Sequence, residues 1–218
     1  MTKQTTTLII ARHGNTFEAG QTPTRIGCHT DMPLVDKGRL QAVKMGQDFV
    51  REGYVCDVAY TSFLSRAHET AQIVLDNMGL GNNAVPLHQQ DMFNEIDYGP
   101  DEDQLEDVVI ARIGAAAIEK WNTQAIAPQG WDVDVEAIKQ QWLDFGKMIC
   151  EHHAGQTVLV VTSNGIARFA PILTGDWQGF SAQHDIKLAT GAYAVMGHQG
   201  NCTNHWDVKA WNIRPNLD

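Results

Sequence analysis

A four-residue apolar run, Leu8-Ile9-Ile10-Ala11, leads directly into Arg12-His13-Gly14. Such a run is typical of a short buried strand, predicted here from Thr7 to Ala11, so the polar residues lie at its carboxyl end. Ligands of open α/β sheets bind at that edge. Arginine offers a planar fork of donors to a phosphate, and a neutral imidazole can act as a nucleophile, an acid or a metal ligand. The sequence therefore predicts a ligand site at this edge of a sheet.

The composition of the 218-residue chain limits the classes of partner. Sixteen lysines and arginines against 26 acidic residues give a formal net charge of −10. This charge argues against nucleic acid and against an anionic membrane as partners, because both require a basic face. An anionic substrate must instead be bound by a local cationic pocket. No run of about 20 apolar residues predicts a membrane span, and the polar residues 1–7 lack a signal-peptide pattern.

The four cysteines predict neither a disulfide framework nor a zinc site. They are scattered and have no C-x-x-C spacing: Cys28, Cys56, Cys150 and Cys202. Thiols used in this way are typical of a reducing compartment, so we expect a cytoplasmic protein.

Short β-branched runs alternate with amphipathic helices along the chain, which favours a sheet covered on both faces. We predict a single domain over residues 1–218, with a three-layer α/β/α fold and a mostly parallel central sheet. An insertion at about residues 98–130 is expected over one edge, where substrate walls usually lie. In the first helix, Leu40, Val43 and Val50 are predicted to face the core. The predicted strands are Thr7–Ala11, Val55–Thr61, Thr157–Thr162, Ala192–Met196 and Trp206–Trp211, and the predicted helices are Lys37–Glu52, Ser65–Met78, Asp103–Trp121, Val133–His153 and Ile166–Leu173.

Polar side chains follow three of the predicted strands, at the edge where parallel strands end. Arg66 comes after the second strand, at the N-terminus of a helix, where backbone N–H groups and the helix dipole favour an anion. The same geometry recurs where Thr157–Thr162 leads into the next helix. The candidate site residues are Arg12, His13, Asn15, Thr16, Arg66, Glu95, Ser163 and Asn164.

Five motifs follow one another along the chain: Arg12-His13-Gly14-Asn15-Thr16, Thr30-Asp31-Met32-Pro33-Leu34, Lys37-Gly38, Ser62-x-x-x-Arg66-Ala67-x-x-Thr70-Ala71 and Asn94-Glu95-Ile96-x-x-Gly99. Together they resemble the histidine phosphatase superfamily, in its phosphoglycerate-mutase-like branch. The resemblance covers most of residues 7–99 and again 157–168, in the same order. It implies a phosphoglycerate-mutase-like α/β/α fold.

The resemblance also implies phosphoryl transfer through a phosphohistidine. His13 would be the nucleophile, with its other ring nitrogen held by a backbone carbonyl. Glu95 would protonate the leaving oxygen and then activate water. No metal and no cofactor are implied, because arginines stabilise the charge of the transferred group. The phosphate-binding residues would be Arg12, Asn15, Thr16, Arg66, Ser163 and Asn164.

Two departures from the family pattern bear on activity. The motif after the strand Thr157–Thr162 normally contains a second histidine, and this chain has Ser163 there. The asparagine often found shortly after the first histidine is also absent. The sequence leaves open whether His184, His198 or His205 supplies the missing imidazole in space.

These observations favour hydrolysis of a small phosphomonoester. Phosphoryl transfer of the phosphoglycerate mutase type is the alternative within enzymes. The family resemblance favours hydrolysis. A mutase must keep water away from its phosphohistidine, and the resemblance implies that mutases of the family are longer chains with extra covering segments. A third reading is a weakly active or non-catalytic sensor of a phosphorylated ligand, which Ser163 keeps open.

Overall fold

Six strands form one mixed sheet: β1 (Thr5–Arg12), β2 (Val58–Thr61), β3 (Leu87–Gln89), β4 (Thr157–Thr162), β5 (Tyr193–Gln199) and β6 (Asp207–Ile213). Their order across the sheet is β3-β2-β4-β1-β5-β6. The first four strands in this order are parallel, whereas β5 runs antiparallel to both β1 and β6. This computed structural model describes residues 5–80, 85–200 and 205–217, and Cys202 lies outside them.

Helices cover both faces of the sheet, as the sequence predicts. Alternate residues of β1 point to opposite faces. Ile9 belongs to the same core cluster as residues of the first two helices, and Leu8 to the same cluster as Trp142 of the fifth. The three-layer fold is therefore confirmed. The helices are α1 (Asp36–Arg51), α2 (Ser65–Asp76), α3 (Glu106–Ile113), α4 (Ala115–Gln124), α5 (Val135–His152), α6 (Asn164–Ala167) and α7 (Trp177–Gln183).

The register of the sheet brings two candidate segments side by side. Arg12 of β1 is paired with Thr162 of β4, and the backbone N–H of His13 donates to the Thr162 carbonyl at 3.0 Å. His13 follows β1 and Ser163 follows β4, so the two residues leave the sheet at the same level. Within the described residues, no helix combines the length and the apolar character that a membrane span requires.

The predicted core face of α1 is wrong. Leu40 and Val50 are 42% and 50% exposed, and the buried face instead contains small residues such as Ala42 and Gly46. A Cβ on Gly46 would lie 2.5 Å from the Val74 carbonyl oxygen of α2. Gly46 permits this close approach of the two helices, and the large apolar side chains of the buried face are Met45 and Phe49.

Several element boundaries also differ from prediction. The predicted helix Asp103–Trp121 is two helices, α3 and α4, because Gly114 between them has a φ of +83°. The predicted helix Ile166–Leu173 is α6 followed by a 3₁₀-helix over Ala170–Thr174. The second strand begins at Val58, since Val55 is exposed. The sequence analysis missed β3 and α7.

Candidate active site

A cavity of about 370 Å³ opens where β1 and β4 end. Arg66 and Ser163 are fully buried and do not line it. Segments that are distant in sequence line the cavity, and they include Tyr98 and Trp121 of the segment 98–130. The other six predicted site residues all line the cavity: Arg12, His13, Asn15, Thr16, Glu95 and Asn164.

His13 is held in a single orientation by its own loop. Its Nδ1 lies 2.8 Å from the Gly14 carbonyl oxygen. Because a carbonyl oxygen only accepts, Nδ1 carries the proton and Nε2 keeps its lone pair. Burial lowers the pKa of His13 well below its ordinary value, and the charges of Arg66 and Arg12 lower it further. The imidazole is therefore neutral at physiological pH, as a nucleophile must be.

The loop after β1 lies against the backbone of α1. A Cβ on Gly14 would be 2.3 Å from the Gly38 carbonyl oxygen, and a Cβ on Gly38 would be 2.2 Å from that of Asn15. The Gly14 N–H also donates to the Thr70 hydroxyl of α2 at 3.1 Å. Two helices thus fix the loop that carries His13, and both glycines permit the close approach.

Two arginines, the half-buried Arg12 and the buried Arg66, act on the imidazole through their charges. Arg66 donates to the carbonyls of Thr30 at 2.7 Å and Gly27 at 3.0 Å, and Arg12 donates to the Leu188 carbonyl at 2.9 Å. Burial lowers the pKa of both. In the described part of the chain neither forms an ion pair, and the Nε of each has no hydrogen-bond partner. The negative charge of Glu95 acts on both arginines, but without a direct ion pair they still favour the binding of an anion.

Glu95 faces the same cavity from the loop after β3. Its Oε1 accepts from the Ile96 N–H at 2.9 Å, and its Oε2 accepts from the Gly165 N–H at 3.2 Å. These two backbone donors fix the orientation of a carboxyl group that is only 7% exposed. A carboxyl group beside an imidazole in a buried pocket can transfer protons to and from a bound ligand.

Arg168 is a buried arginine of the cavity wall that was not predicted as a site residue. Arg168 donates to the carbonyls of Trp121 at 2.6 Å and Asn164 at 3.2 Å. Its guanidinium carbon lies 4.0 Å from the centre of the Trp121 ring, and burial lowers its pKa to about 10. The available signal was its spacing, since Arg168 follows Asn164 by one helical turn.

Two further cations line the cavity, and the sequence analysis named neither. Arg25 forms an ion pair with Glu106 and lies 5.0 Å from the centre of the Trp131 ring. The Lys187 ammonium makes no hydrogen bond or ion pair with any residue that the structure describes. Nothing in the sequence around Lys187 distinguishes it from a surface lysine.

The position of the missing family histidine is enclosed. Ser163 is 0% exposed, and its hydroxyl has no hydrogen-bond partner among the described residues. His184, His198 and His205 do not line the cavity, so none of the three replaces the missing imidazole there. Within the described chain, His13 is the histidine that lines it.

Comparison with known proteins gives a family match over most of the chain. The family model of the histidine phosphatase superfamily (branch 1) matches residues 8–214. A 2,3-bisphosphoglycerate-dependent phosphoglycerate mutase of Bartonella quintana is 27% identical over 207 residues, covering 90% of this chain and 94% of the relative. This family consists of enzymes.

Solved structures show the same fold. A putative alpha-ribazole-5'-P phosphatase from Escherichia coli has a TM-score of 0.71 and 23% identity, covering 96% of this chain and 97% of its own. The mycobacterial glucosyl-3-phosphoglycerate phosphatase has a TM-score of 0.74 and 16% identity, covering 95% and 99%. Two proteins named as phosphatases thus share this architecture.

Proposed function

Since this chain belongs to the histidine phosphatase superfamily, we propose that it hydrolyses a small phosphomonoester through a phosphohistidine at His13. One observation carries the proposal. The Nδ1 of His13 is bound to the Gly14 carbonyl oxygen, which leaves the Nε2 lone pair in a cavity that Arg12 also lines. The charge of the buried Arg66 acts on the same imidazole. A fixed, neutral nucleophile next to unpaired cations suits attack on a phosphate ester.

In the first half-reaction, Nε2 of His13 attacks phosphorus and the bond from phosphorus to the ester oxygen breaks. Glu95, in its protonated form, donates its proton to the leaving oxygen, so the alcohol departs neutral. Arg12, which lines the cavity, stabilises the charge on the equatorial oxygens of the transferred group, and the positive charge of the buried Arg66 adds to this stabilisation. The chain performs this step with its own side chains.

In the second half-reaction, the Glu95 carboxylate accepts a proton from water. The water oxygen attacks phosphorus, and the bond from phosphorus to Nε2 breaks. Inorganic phosphate leaves, His13 returns to its neutral form, and Glu95 is again protonated. The two backbone N–H groups on Glu95 keep the carboxyl group in place for both proton transfers.

The substrate of this proposed reaction carries a second anionic group. Arg168 and Lys187 line the cavity in addition to the arginines beside His13, and neither forms an ion pair with a described residue. A carboxylate or a second phosphate on the substrate would satisfy both cations. A small phosphorylated acid is therefore the substrate class that this pocket suits.

Phosphoglycerate-mutase-type transfer is the second candidate. The observation that favours it is the name of the Bartonella quintana relative, which aligns over 90% of this chain. A mutase returns the phosphoryl group to a second hydroxyl of the substrate and releases little inorganic phosphate. Measurement of phosphate release against isomer formation from a monophosphoglycerate separates the two reactions.

The nucleophile is tested by trapping the intermediate. A radiolabelled phosphoryl donor should leave acid-labile, base-stable label on the wild-type chain and on a His88→Ala control, an exposed histidine outside the cavity. His13→Ala should carry no label and should not hydrolyse an aryl phosphate. Label or turnover that persists in His13→Ala would refute the proposal. Binding of phosphate by the wild type without label and without turnover would indicate a sensor.

A further inference from the structure

Three side chains of metal-binding type lie together beside the cavity but outside it. Cys28 and His29 belong to the loop between β1 and α1, and Asp97 belongs to the loop that carries Glu95. The thiol sulfur, an imidazole nitrogen and a carboxylate oxygen all lie within 4.8 Å of one another. None of the three lines the cavity of His13. The spacing of the cysteines hid this cluster, because its third member is distant in sequence.

The cluster is partly assembled by its own hydrogen bonds. His29 Nε2 lies 3.1 Å from Asp97 Oδ2, while Asp97 Oδ1 accepts from the Gly99 N–H at 2.6 Å. The Cys28 N–H donates to the Ile96 carbonyl at 3.2 Å. Two loops are thus joined where the three groups meet, and the Asp97 carboxylate is turned toward the imidazole.

The distances suit a tetrahedral cation after small side-chain movements. Thiolate, imidazole and carboxylate bind zinc at about 2.0–2.3 Å, so tetrahedral ligand atoms lie about 3.5 Å apart. The His29 side chain is 72% exposed, and its ring can therefore turn toward a cation. Three protein ligands and a water molecule complete such a site.

The charges around the cluster are negative. Glu102 accepts from the His29 N–H at 2.7 Å through Oε1, and its buried Oε2 has no partner among the described residues. In that part of the chain no lysine or arginine forms an ion pair with Asp97 or Glu102. A bound cation would offset these charges, and the Cys28 thiol would release its proton to solvent on binding it.

We propose that Cys28, His29 and Asp97 bind one Zn²⁺ ion at a site separate from the phosphoryl-transfer cavity. The ion would also join the loops that position two site residues. Arg66 donates to the carbonyls of Gly27 and Thr30 on either side of Cys28 and His29, and Glu95 precedes Asp97 by two residues. The bound ion thus holds Arg66 and Glu95 in fixed relation.

The site is tested with Co²⁺ as a spectroscopic probe for Zn²⁺. The reduced, chelator-treated full-length protein should bind one equivalent of Co²⁺ with a thiolate-to-metal charge-transfer band, and Zn²⁺ should displace it. Cys28→Ser should abolish the band although the other three cysteines remain. Loss of only an outer-shell partner weakens metal binding by about 10–100-fold, so His29→Gln should weaken it by at least about tenfold. His88→Gln, on an exposed strand, should bind like the wild type.

The opposite results would overturn the site. A band that survives in Cys28→Ser, equal affinities in His29→Gln and His88→Gln, or no binding by the wild type would each reject it. Alkylation followed by mass spectrometry provides a second measurement. Zn²⁺ should protect Cys28 from alkylation in the wild type, and equal modification with and without Zn²⁺ would contradict the proposal.

Discussion

Gly165 and Glu95 lie so close that no side chain fits between them. A Cβ on Gly165 would be 2.0 Å from Oε1 of Glu95, and the Gly165 N–H already donates to Oε2 at 3.2 Å. The absence of a side chain at position 165 therefore sets the place of the carboxyl group that we propose as the proton donor and acceptor.

Gly165→Ala should lower kcat by about 100-fold, with a smaller change in KM. The added methyl group displaces the carboxyl group, and a misplacement of about 1 Å at a reacting centre costs about that factor. Steady-state hydrolysis of an aryl phosphate measures the effect. Gly197→Ala is the matched control, because its Cβ would meet the flexible Lys209 side chain at 3.1 Å.

A double variant distinguishes this effect from general damage to the fold. In a Glu95→Ala background, Gly165→Ala should cause no further loss of kcat, because the displaced group is already gone. Additive losses in the double variant would show that Gly165 acts through something other than Glu95.

Ser163→His should raise kcat/KM by about 10- to 150-fold. It restores a cationic donor where the family has its second histidine, and a hydrogen bond to a charged group contributes about 1.5–3 kcal/mol. The unpartnered hydroxyl of Ser163 is the group that the imidazole replaces. Ser163→Ala, which adds no donor, is the control. Unchanged kcat/KM and phosphate affinity in Ser163→His would show that position 163 does not face the bound phosphate.

His13 should make the free energy of unfolding depend on pH. The unfolded chain protonates this histidine near pH 6.5, whereas the folded chain does so only at much lower pH, because burial and two arginines lower the pKa. The unfolded state therefore binds more protons below about pH 6.5, and stability falls as the pH falls there. Between pH 6.5 and 5.5 the loss from His13 is about 1 kcal/mol.

Urea unfolding at both pH values checks this effect. His13→Asn should lose about 1 kcal/mol less than the wild type over the interval, and the exposed-histidine control His88→Asn should behave like the wild type. A wild-type curve with the same pH dependence as His13→Asn would show that His13 titrates normally in the folded chain.

Lys187→Ala should distinguish substrates by charge. For a phosphorylated carboxylic acid we expect KM to rise by about tenfold, or about 1.4 kcal/mol, because an unpaired cation of the cavity wall is lost. For an aryl phosphate whose aryl group carries no charge, and which reaches only the centre around His13, KM should stay within about twofold. Lys209→Ala, remote from the cavity, serves as control. An equal rise in KM for both substrates would show that Lys187 does not bind the second anionic group.

The sequence was informative where the fold depends on local pattern. The apolar runs at Leu8–Ala11 and Thr157–Thr162 predicted buried strands, and the polar residues after them line one cavity, with the exception of Ser163. Arg66 was predicted to contact phosphate, and the structure encloses it among backbone carbonyls of residues 27 and 30. That enclosure depends on a distant loop, because Gly27 is 39 residues from Arg66 in sequence. No local pattern indicates such a contact.

Other features depended on packing and close approach. The buried face of α1 was mispredicted because it was assigned to Leu40 and Val50, which are exposed, whereas Met45 and Phe49 are the buried large side chains. The small residue Gly46 permits the close contact with α2. Arg168 was missed because a buried arginine resembles any helical arginine in sequence. The cluster of Cys28, His29 and Asp97 was missed because two loops, and not a spacing motif, assemble it.

The contact between Gly14 and Gly38 has a consequence for how sequences of this fold can diverge. Most positions here tolerate replacement, as 27% identity to a full-length relative indicates. At these two positions each backbone occupies the space of the other residue's side chain, so even alanine requires α1 to move away from the sheet. Neither glycine can be replaced alone. A second substitution cannot compensate either, because the other residue is already glycine and cannot become smaller. A library that aims to vary substrate preference should therefore keep both glycines fixed, together with the proposed catalytic residues of the cavity wall, and randomise the other wall positions.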